Sequence, residues 1–385
     1  MIYLDHAAAT PVHPKVLAVM QPYFAEQFFN PSAPYLAAKQ VRTDYQSAKA
    51  RLARTIGAKA PDLVITAGAT ESINLAFTVL QQFSNSHCLI LATEHAAVQE
   101  VAKQYSRDLI SVDQFGLIDF TDLRAKIKPH TVLISVSAAN NEIGTIQPIA
   151  KIAALVQEIR HQRLAEGNLT PLYLHSDASQ AFGLLDLSVS RLGVDLLTLN
   201  AAKIYGPKGI GTLYLSRDIK LQPITYGGGQ ERGLRSGTEN VPALIGFAAA
   251  AELAKEHLSY HRQTYQKLTT LLRQILETAD TKPHFLGHPK HQLANFCPVS
   301  FPGLDAERLI YLLEAESIYL STGAACAASK GQKSQTLQVI GLPDAYITGS
   351  LRISLGNLNS EDNIKQAGAA IIQAVNQETS RIHHG

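Results

Sequence analysis

The chain has 385 residues, 46% of them hydrophobic and 17% charged, with a formal net charge of +2. This composition predicts a globular protein of two or three domains and gives no electrostatic reason to expect nucleic acid or an acidic membrane as a partner. We find no apolar run of membrane-spanning length and no signal peptide. The three cysteines are too few for a disulfide framework and lack metal-ligand spacing, so we expect reduced thiols and a cytoplasmic protein.

Helix-forming and strand-forming segments alternate over the first two thirds of the chain. Helical spacing predicts helices at residues 14–29, 33–56, 68–79, 120–127 and 149–164, with another after Glu94-His95. Apolar, β-rich runs predict strands at residues 62–66, 87–93, 108–112, 131–137, 171–175, 195–199 and 211–215. Continuous apolar strands separated by helices are typical of a mostly parallel sheet covered on both faces. We therefore predict a large α/β domain over residues 13–250.

The last third of the chain has a different organisation. Residues 239–280 are compatible with helix almost throughout and predict a helix or a helix pair between two domains. Beyond them, strand-like and helix-like segments alternate as a smaller α+β unit. We expect residues 251–385 to form this small domain together with residues 1–12.

Lys203 follows an apolar run, residues 196–199, and precedes a turn rich in glycine and proline. At the end of a buried strand an amine lies near a cleft and away from bulk water, where its pKa falls and its neutral, nucleophilic form becomes available. A Schiff-base lysine requires this environment. The alternative is a surface lysine at a strand end, so the assignment depends on which other groups accompany it.

Three other features fit the same cofactor as Lys203. The turn Gly68-Ala69-Thr70 leads from a predicted strand into a helix and offers backbone N–H groups to a phosphate. Asp177 follows the predicted strand at 171–175, where a carboxylate can keep a pyridine nitrogen protonated. His95 can stack on a flat ring. Each feature alone has an ordinary structural alternative, but together they predict a site for pyridoxal 5′-phosphate (PLP).

On these and other motifs the chain resembles the cysteine desulfurases of the class V aminotransferase family, which are PLP enzymes of fold-type I. The resemblance runs nearly from end to end. The motifs that carry it are YLDHAAATP at 3–11, GATESIN at 68–74, Glu94-His95, NNEIGTIQP at 140–148, DASQ at 177–180, KIYGPKG at 203–209, GGGQERGLRSGT at 227–238, the segment around Cys326, and LRISLG at 351–356.

The resemblance implies a set of residues that bind the cofactor. Lys203 forms the covalent bond to PLP, Asp177 pairs with the pyridine nitrogen, and Gln180 donates to the ring O3′ atom. His95 stacks on the ring and shuttles protons. The phosphate ligands implied are Ala69, Thr70, Asn200 and, reaching the partner subunit's phosphate across a homodimer interface, Thr238.

The resemblance also implies how L-cysteine is bound and where its sulfur goes. Asn141 and Arg352 hold the substrate carboxylate, and a guanidinium fork suits that planar group. Cys326 accepts the sulfur as a persulfide and alanine is released. The family's longer-loop branch, to which this chain is similar, passes the sulfur to an acceptor protein such as an iron–sulfur scaffold or a tRNA-thiolating enzyme.

The residues around Cys326 support this assignment independently. Residues 321–334 are small, polar and punctuated by glycine, which predicts an accessible loop. Lys330 and Lys333 favour the thiolate, the form that attacks. By contrast Cys88 and Cys297 lie in apolar segments predicted as strands, and we expect them to be packing residues.

One motif departs from the family pattern and keeps alternatives open. The family commonly has Ser-x-His before the lysine, with both side chains on the phosphate, whereas this chain has Asn200-Ala201-Ala202. Asn200 can still donate a hydrogen bond but Ala202 cannot, so we expect PLP to be retained with weaker binding. The alternatives are another class V activity, such as selenocysteine lyase or an aminotransferase, and a non-catalytic sulfur-trafficking scaffold. A dinucleotide-dependent dehydrogenase is disfavoured because no G-x-G-x-x-G follows an early strand.

Overall fold

The computed structural model describes residues 1–322 and 333–384. Within them, the strands are β1 Ile2–Tyr3, β2 Leu63–Thr66, β3 His87–Leu91, β4 Ser106–Ile110, β5 Thr131–Ser135, β6 Tyr173–Asp177, β7 Leu196–Asn200, β8 Gly211–Leu215, β9 His284–Phe285, β10 Val299–Ser300, β11 Ile318–Tyr319, β12 Ser321–Thr322 and β13 Ser350–Arg352.

The α-helices in the same part of the chain are α1 Pro14–Met20, α2 Pro22–Ala25, α3 Leu36–Thr55, α4 Ala69–Phe77, α5 Ala96–Ala102, α6 Phe120–Lys126, α7 Ile149–Ala165, α8 Val189–Leu192, α9 Val241–Glu256, α10 Leu258–Leu276, α11 Ala306–Ala315, α12 Gln335–Val339, α13 Asp344–Thr348 and α14 Glu361–His384. Short 3₁₀ turns lie at Ala60–Asp62, Thr78–Gln82, Ala201–Lys203 and Glu231–Gly233. None of these described helices combines the length and hydropathy that a bilayer span needs.

Strands β2 to β8 form a seven-stranded sheet in the order β2-β8-β7-β6-β5-β3-β4. The pairs among β3 to β7 are parallel, whereas β8 runs antiparallel to both of its neighbours. Alternate strand residues join different hydrophobic clusters: Leu197 and Leu199 pack with α3 and α9, and Leu196 packs with α4 and α5. Both faces of the sheet are therefore covered, which confirms the predicted α/β class with a mostly parallel sheet.

The C-terminal part of the chain forms a second cluster with the N-terminus. Strands β9, β10, β12 and β13 make a four-stranded antiparallel sheet in the order β12-β13-β10-β9, and β1 pairs in parallel with β11. Ile2 and Leu4 are buried in one hydrophobic cluster with α10, α11 and α14. The division into a large domain at residues 13–250 and a small one at 1–12 and 251–385 stays a prediction.

Several element boundaries differ from the predicted ones for identifiable reasons. The helix predicted at residues 14–29 breaks at Gln21 and ends at Ala25, because Pro22 has no N–H with which to extend the hydrogen-bond ladder of α1. The long helical stretch after Glu239 is a pair of helices that meet at His257. Asp177 is the last residue of β6 and does not follow the strand, because it still pairs with Thr198 of β7.

Candidate active site

A cleft of about 810 Å³ lies at the carboxyl ends of several strands of the seven-stranded sheet. This is the edge at which open α/β sheets bind their ligands. Nine of the eleven predicted site residues line it: Ala69, Thr70, His95, Asn141, Asp177, Gln180, Asn200, Lys203 and Arg352. They come from separate elements of the fold, so the topology itself assembles the site.

Lys203 is placed by the end of β7 and by the N-terminal segment. The chain leaves the strand at Asn200, whose Oδ1 accepts from the Ala202 N–H at 3.0 Å and starts the short 3₁₀ turn. The Lys203 amine donates to the carbonyl oxygens of Ala7 at 2.7 Å and Ala8 at 2.5 Å. The half-buried amine is therefore held at the wall of the cleft by backbone carbonyls of residues far away in sequence.

Asp177 and His95 are fixed by local hydrogen bonds. The Asp177 carboxylate accepts from both the N–H of Ser179, at 2.9 Å, and its hydroxyl, at 2.6 Å. The Nδ1 atom of His95 accepts from the Ala97 N–H at 3.1 Å and caps α5, which sets the orientation of the ring. Burial lowers the pKa of His95, whereas the charge of Asp177 raises it and that of Lys203 lowers it. The acid, the amine and the imidazole thus lie close enough to influence one another.

Glu94 is a buried acid beside these groups, and the sequence alone predicts no separate role for it. Its carboxylate accepts from the N–H of Ser137 at 2.5 Å and from the Ser137 hydroxyl. Burial raises the pKa of Glu94 to about 8, and the nearby charge of Asp177 acts in the same direction. Glu94 therefore ties the start of α5, where His95 lies, to the segment that follows β5.

Arg352 presents a buried guanidinium to the cleft. It is 5% exposed, donates from Nη2 to Asp5 Oδ1 at 2.7 Å, and donates from Nη1 to the Asn141 carbonyl at 3.3 Å. Its Nε is buried without a hydrogen-bond partner among the described residues. A buried donor that lacks a partner is costly, and a carboxylate is the group that a guanidinium fork accommodates best. Asp5 lies within the first motif, but nothing in the sequence indicates its contact with Arg352.

The residues that line the cleft fit PLP. The first N–H groups of α4, at Ala69 and Thr70, have no acceptor within the helix and can bind a phosphate. Asp177 offers a carboxylate to a pyridinium nitrogen, and Lys203 offers the amine. The departure noted in the sequence remains visible, because Ala202 lines the cleft without a donor in its side chain. Gln180, the predicted donor to the ring, has its amide nitrogen 3.0 Å from the Ala7 carbonyl.

One described residue of the predicted site, Thr238, is not brought into the cleft. Thr238 is exposed and lies outside the lining. Cys326 and Lys330 lie outside the described residues. Cys88 and Cys297 are fully buried, and burial raises the pKa of these thiols to about 12 and about 11, as expected of packing residues. Cys297, however, lies just before β10 and not in a strand.

The described residues on either side of 323–332 are fixed near Arg352. On one side, Ser321 of β12 pairs with Arg352 itself. On the other side, the hydroxyls of Ser334 and Thr336 donate to Glu142, the latter at 2.9 Å. Glu142 directly follows the residue whose carbonyl accepts from Arg352. The described residues that flank this stretch are therefore fixed by β13, which carries Arg352, and by Glu142, which follows Asn141.

Comparison with known proteins shows the family of this chain. The family model described as aminotransferase class-V matches residues 2–367. The cysteine desulfurase IscS of Methanosarcina thermophila is 37% identical over 94% of this chain and 89% of its own length. Among solved structures, a NifS-like protein has a TM-score of 0.88 at 30% identity and covers 97% of this chain and 99% of its own. A structure of SspA in complex with cysteine has a TM-score of 0.79 at 31% identity, covering 92% and 99%.

Proposed function

This chain belongs to the class V aminotransferase family as a PLP-dependent cysteine desulfurase, and from that premise we propose which residues act and where the sulfur goes. The observation that carries the proposal is the single cleft lined by nine residues with the required chemistry. In the proposed reaction, L-cysteine is converted to L-alanine and its sulfur is left as a persulfide on Cys326.

Arg352 and Asn141 bind the carboxylate of L-cysteine. The guanidinium offers the cleft those terminal N–H groups that do not bond to Asp5 or to the Asn141 carbonyl. Because the guanidinium is almost fully buried, an ion pair formed there is weakly screened by solvent. This pairing orients the substrate α-carbon toward the part of the cleft wall where the Lys203 amine lies.

Lys203, Asp177 and His95 manage the protons. PLP, when bound, stores the electron pair that is left when the α-proton departs. The Lys203 Nζ takes that proton from the substrate and delivers protons later. Asp177, held by Ser179, would keep a proton on the pyridine nitrogen, and His95 would stack on the ring. Ala69, Thr70 and Asn200 hold the phosphate from the strand-end edge of the sheet.

The Cys326 thiolate takes the sulfur. It attacks the sulfur of the bound cysteine, so that a new S–S bond forms while the C–S bond breaks. The bonding pair stays with the substrate carbon, which is then protonated to give alanine. The described neighbours of this stretch support the role. Ser321 pairs with Arg352 in the sheet, and the hydroxyls of Ser334 and Thr336 donate to Glu142, which follows Asn141.

We propose that the enzyme is a homodimer. Large apolar side chains are exposed near the N-terminus and before Thr238, among them Phe28 at 66%, Leu36 at 79% and Tyr226 at 81%. Apolar surface of this kind is typical of an interface. Thr238 then serves the partner subunit's phosphate, which accounts for its exposed position outside the cleft of its own chain.

The persulfide sulfur is passed to an acceptor protein, either an iron–sulfur scaffold or a tRNA-thiolating enzyme, and we propose that this takes place in the cytoplasm. The two described cysteines are free thiols, as a reducing compartment maintains them. Partners trapped as mixed disulfides with Cys326 identify the acceptor. Recovery of a scaffold protein and recovery of a tRNA-modifying enzyme are the two outcomes that separate these destinations.

The activity itself is tested with a pair of proteins. Wild-type protein supplied with PLP and L-cysteine is expected to release one alanine for each sulfur transferred to a thiol acceptor. Cys326→Ala is expected to abolish sulfur transfer while the absorbance of bound PLP is retained; Cys88→Ala, a buried cysteine change, serves as the control. If Cys326→Ala keeps a selenocysteine lyase or aminotransferase activity, the alternative class V activities are favoured. If the purified protein binds no PLP, the non-catalytic sulfur-trafficking scaffold is favoured.

A further inference from the structure

A second cavity, of about 140 Å³, lies on the other side of Lys203 from the cleft. Lys203 and Gln180 line both spaces, so these two side chains form the partition between them. The remaining lining comes from the N-terminal segment, from α9 and α10, and from the region around β13. The established chemistry of the cleft makes no use of this cavity.

Two buried side chains that line the cavity carry hydrogen-bond acceptors without partners. His6 is 3% exposed, and its Nδ1 lies 3.1 Å from the Ser354 carbonyl. A carbonyl only accepts, so Nδ1 carries the hydrogen and Nε2 is an acceptor. Asn295 is 7% exposed, and its amide nitrogen donates to the Leu355 carbonyl at 3.2 Å, which leaves Oδ1 as an acceptor. Neither His6 Nε2 nor Asn295 Oδ1 is paired within the described part of the chain.

The occupant that these acceptors require is a neutral hydrogen-bond donor. The cavity lining, all of it in described residues, contains no carboxylate but includes Lys15 and Lys203, which disfavours a cation such as an ammonium group. Four histidines also line the cavity, but no three His, Cys, Asp or Glu side chains in the described part of the chain are grouped so that they could hold a metal ion. Water supplies two donors, and the volume has room for several molecules. We propose that His6 and Asn295 hold ordered water in this cavity and that this water exchanges protons with the Lys203 amine.

The proposal rests on the proposed function, in which Lys203 moves the α-proton. Once cofactor and substrate fill the cleft, the face of the amine toward the cleft is covered. The Lys203 side chain also borders the cavity, so water there lies next to the residue that carries the amine. The outer lining of the cavity includes His257, which is exposed, and His261, which is half-buried, so the water has a path toward bulk solvent. A proton taken from the substrate can therefore leave through the cavity and be replaced.

The hydration claim is tested directly by a crystal structure of the holoenzyme at a resolution that shows ordered water. We expect water within hydrogen-bonding distance of both His6 Nε2 and Asn295 Oδ1. A cavity without water, or one filled by another molecule, would overturn the proposal. This readout does not depend on whether the enzyme desulfurates cysteine, so it separates failure of the hydration site from failure of the proposed function.

The proton link is tested with L-alanine, which offers an α-proton but no sulfur. Holoenzyme and L-alanine are mixed in D₂O, and loss of the Cα–H signal is followed by proton NMR. Asn295→Leu removes one acceptor, and Ala254→Leu fills the cavity while leaving both acceptors in place; each is expected to slow exchange by about tenfold or more. Leu253→Met, a change in the same lining that keeps the volume nearly constant, is the matched control.

The outcomes of the exchange experiment are distinct. Wild-type rates in both leucine variants, with melting midpoints and PLP absorbance unchanged, would overturn the proton link. Slow exchange in both variants and a normal rate in Leu253→Met supports it. If the wild type exchanges no α-proton at all, the role proposed for Lys203 fails instead, and the crystal structure alone decides the hydration site.

Discussion

Arg352 is held from two sides before a substrate carboxylate reaches it. Asp5 and the Asn141 carbonyl accept one N–H each, which leaves one further N–H on each terminal nitrogen for a ligand. A side chain as long as arginine loses considerable rotamer freedom when fixed, so an aspartate that fixes it in advance lowers the entropic cost of binding substrate. Asp5 is thus a positioning residue for the substrate-binding group.

Asp5→Ala is expected to raise KM for L-cysteine about tenfold or more while changing kcat little, because the lost hydrogen bond is to a charged group. Asp5→Asn, which keeps an acceptor oxygen, is expected to have a smaller effect. Steady-state kinetics with a melting curve for each variant is the measurement. Asp186→Ala, which removes the partner of Arg191 in an exposed ion pair, is the control. A fall in kcat at unchanged KM would contradict the positioning role.

Ala202 is the residue at which this chain departs from its family, and restoring the missing donor tests the consequence. Ala202 is half-buried and lines the cleft two residues beyond the end of β7. Ala202→His is expected to tighten PLP binding by about tenfold or more, since hydrogen bonds to charged groups contribute about 1.5–3 kcal/mol. Titration of apoprotein with PLP measures the affinity. Ala202→Phe supplies a ring without a donor, and equal affinities of the two variants would contradict the prediction.

Among individual residues, those in motifs at strand and helix ends were predictable from sequence. Lys203, Asp177 and His95 each lie where a predicted strand gives way to a turn or helix, and the structure brings them to one cleft. Asp5 was not predictable, because its partner is 347 positions away and a single aspartate carries no signal of its contacts. The contacts of the Lys203 amine with the Ala7 and Ala8 carbonyls could not be predicted either, because every residue has a backbone carbonyl and the sequence does not show which ones are used.

At the scale of elements, α12 and the segment after β5 are joined through Glu142. Glu142 is half-buried, and its carboxylate accepts from Ser334, which caps α12, and from Thr336 within that helix. Burial raises the pKa of Glu142, while the two hydroxyl donors and the charge of Arg352 lower it. The contact therefore fixes the described end of the stretch that carries Cys326.

Glu142→Leu is expected to slow persulfide formation on Cys326 about tenfold, since a misplaced nucleophile loses much of its effective concentration. Exchange of the α-proton of L-alanine, which does not need Cys326, is expected to stay near the wild-type rate. Single-turnover formation of alanine from L-cysteine measures the first quantity. In Glu142→Gln, whose side chain can still accept from one hydroxyl, the rate of persulfide formation is expected to lie between those of the wild type and Glu142→Leu. Equal slowing of both reactions in Glu142→Leu would show a general loss of structure instead.

The central strand β6 gives the fold a pH dependence through His175. Its Nδ1 lies 2.8 Å from the Ser135 hydroxyl and its Nε2 lies 3.0 Å from the Thr198 hydroxyl, both on neighbouring strands. Burial lowers the pKa of His175 from 6.5 to about 4. Between these two pH values the imidazole is neutral in the native state but protonated in the unfolded chain. The contribution of His175 to stability is therefore complete above pH 6.5 and is lost as the pH falls toward 4.

Acidification from pH 7.5 to pH 5 is expected to lower the free energy of unfolding by about 2 kcal/mol through His175 alone. The His175→Gln variant carries an amide that does not titrate. Its free energy of unfolding is expected to fall by about 2 kcal/mol less than that of the wild type over the same pH interval, although the variant is less stable at pH 7.5. Urea denaturation at the two pH values measures the difference. The exposed His161→Gln is the control. An identical loss in His175→Gln and the wild type would contradict the assignment.

The longer elements were predicted to within a few residues, and the failures have physical causes. Strands such as β3, β5 and β8 are continuous apolar runs, whose signal is strong because both faces of the sheet are buried. Two-residue strands such as β9 and β12 contain too few residues to show alternation. Their existence depends on pairing with β10 and β13, which tertiary packing decides.

At the scale of the whole molecule, the N-terminal segment connects the parts that the reaction needs. Its first residues pack with the C-terminal cluster, Asp5 pairs with Arg352, and the carbonyls of Ala7 and Ala8 hold Lys203. The substrate-binding arginine and the cofactor-binding lysine are therefore tied together by a few consecutive residues. A second connection at this scale is the proposed dimer.

Mixed dimers test whether Thr238 acts across the interface. Lys203→Ala and Thr238→Ala proteins are each expected to be weakly active or inactive, and after mixing and subunit exchange about a quarter of the wild-type activity is expected. Half of the dimers are then mixed, and in each of these one site has both an intact lysine and an intact threonine from the partner. Activity no greater than that of the separate proteins would contradict a role in trans.

The most direct test of the central claim is borohydride reduction of the purified PLP-bound protein followed by peptide mapping. The account predicts a stable pyridoxyl group on Lys203, with Lys208, which also lines the cleft, unlabelled. Folded protein that binds PLP but carries the label on another lysine, or carries no label at all, would contradict it.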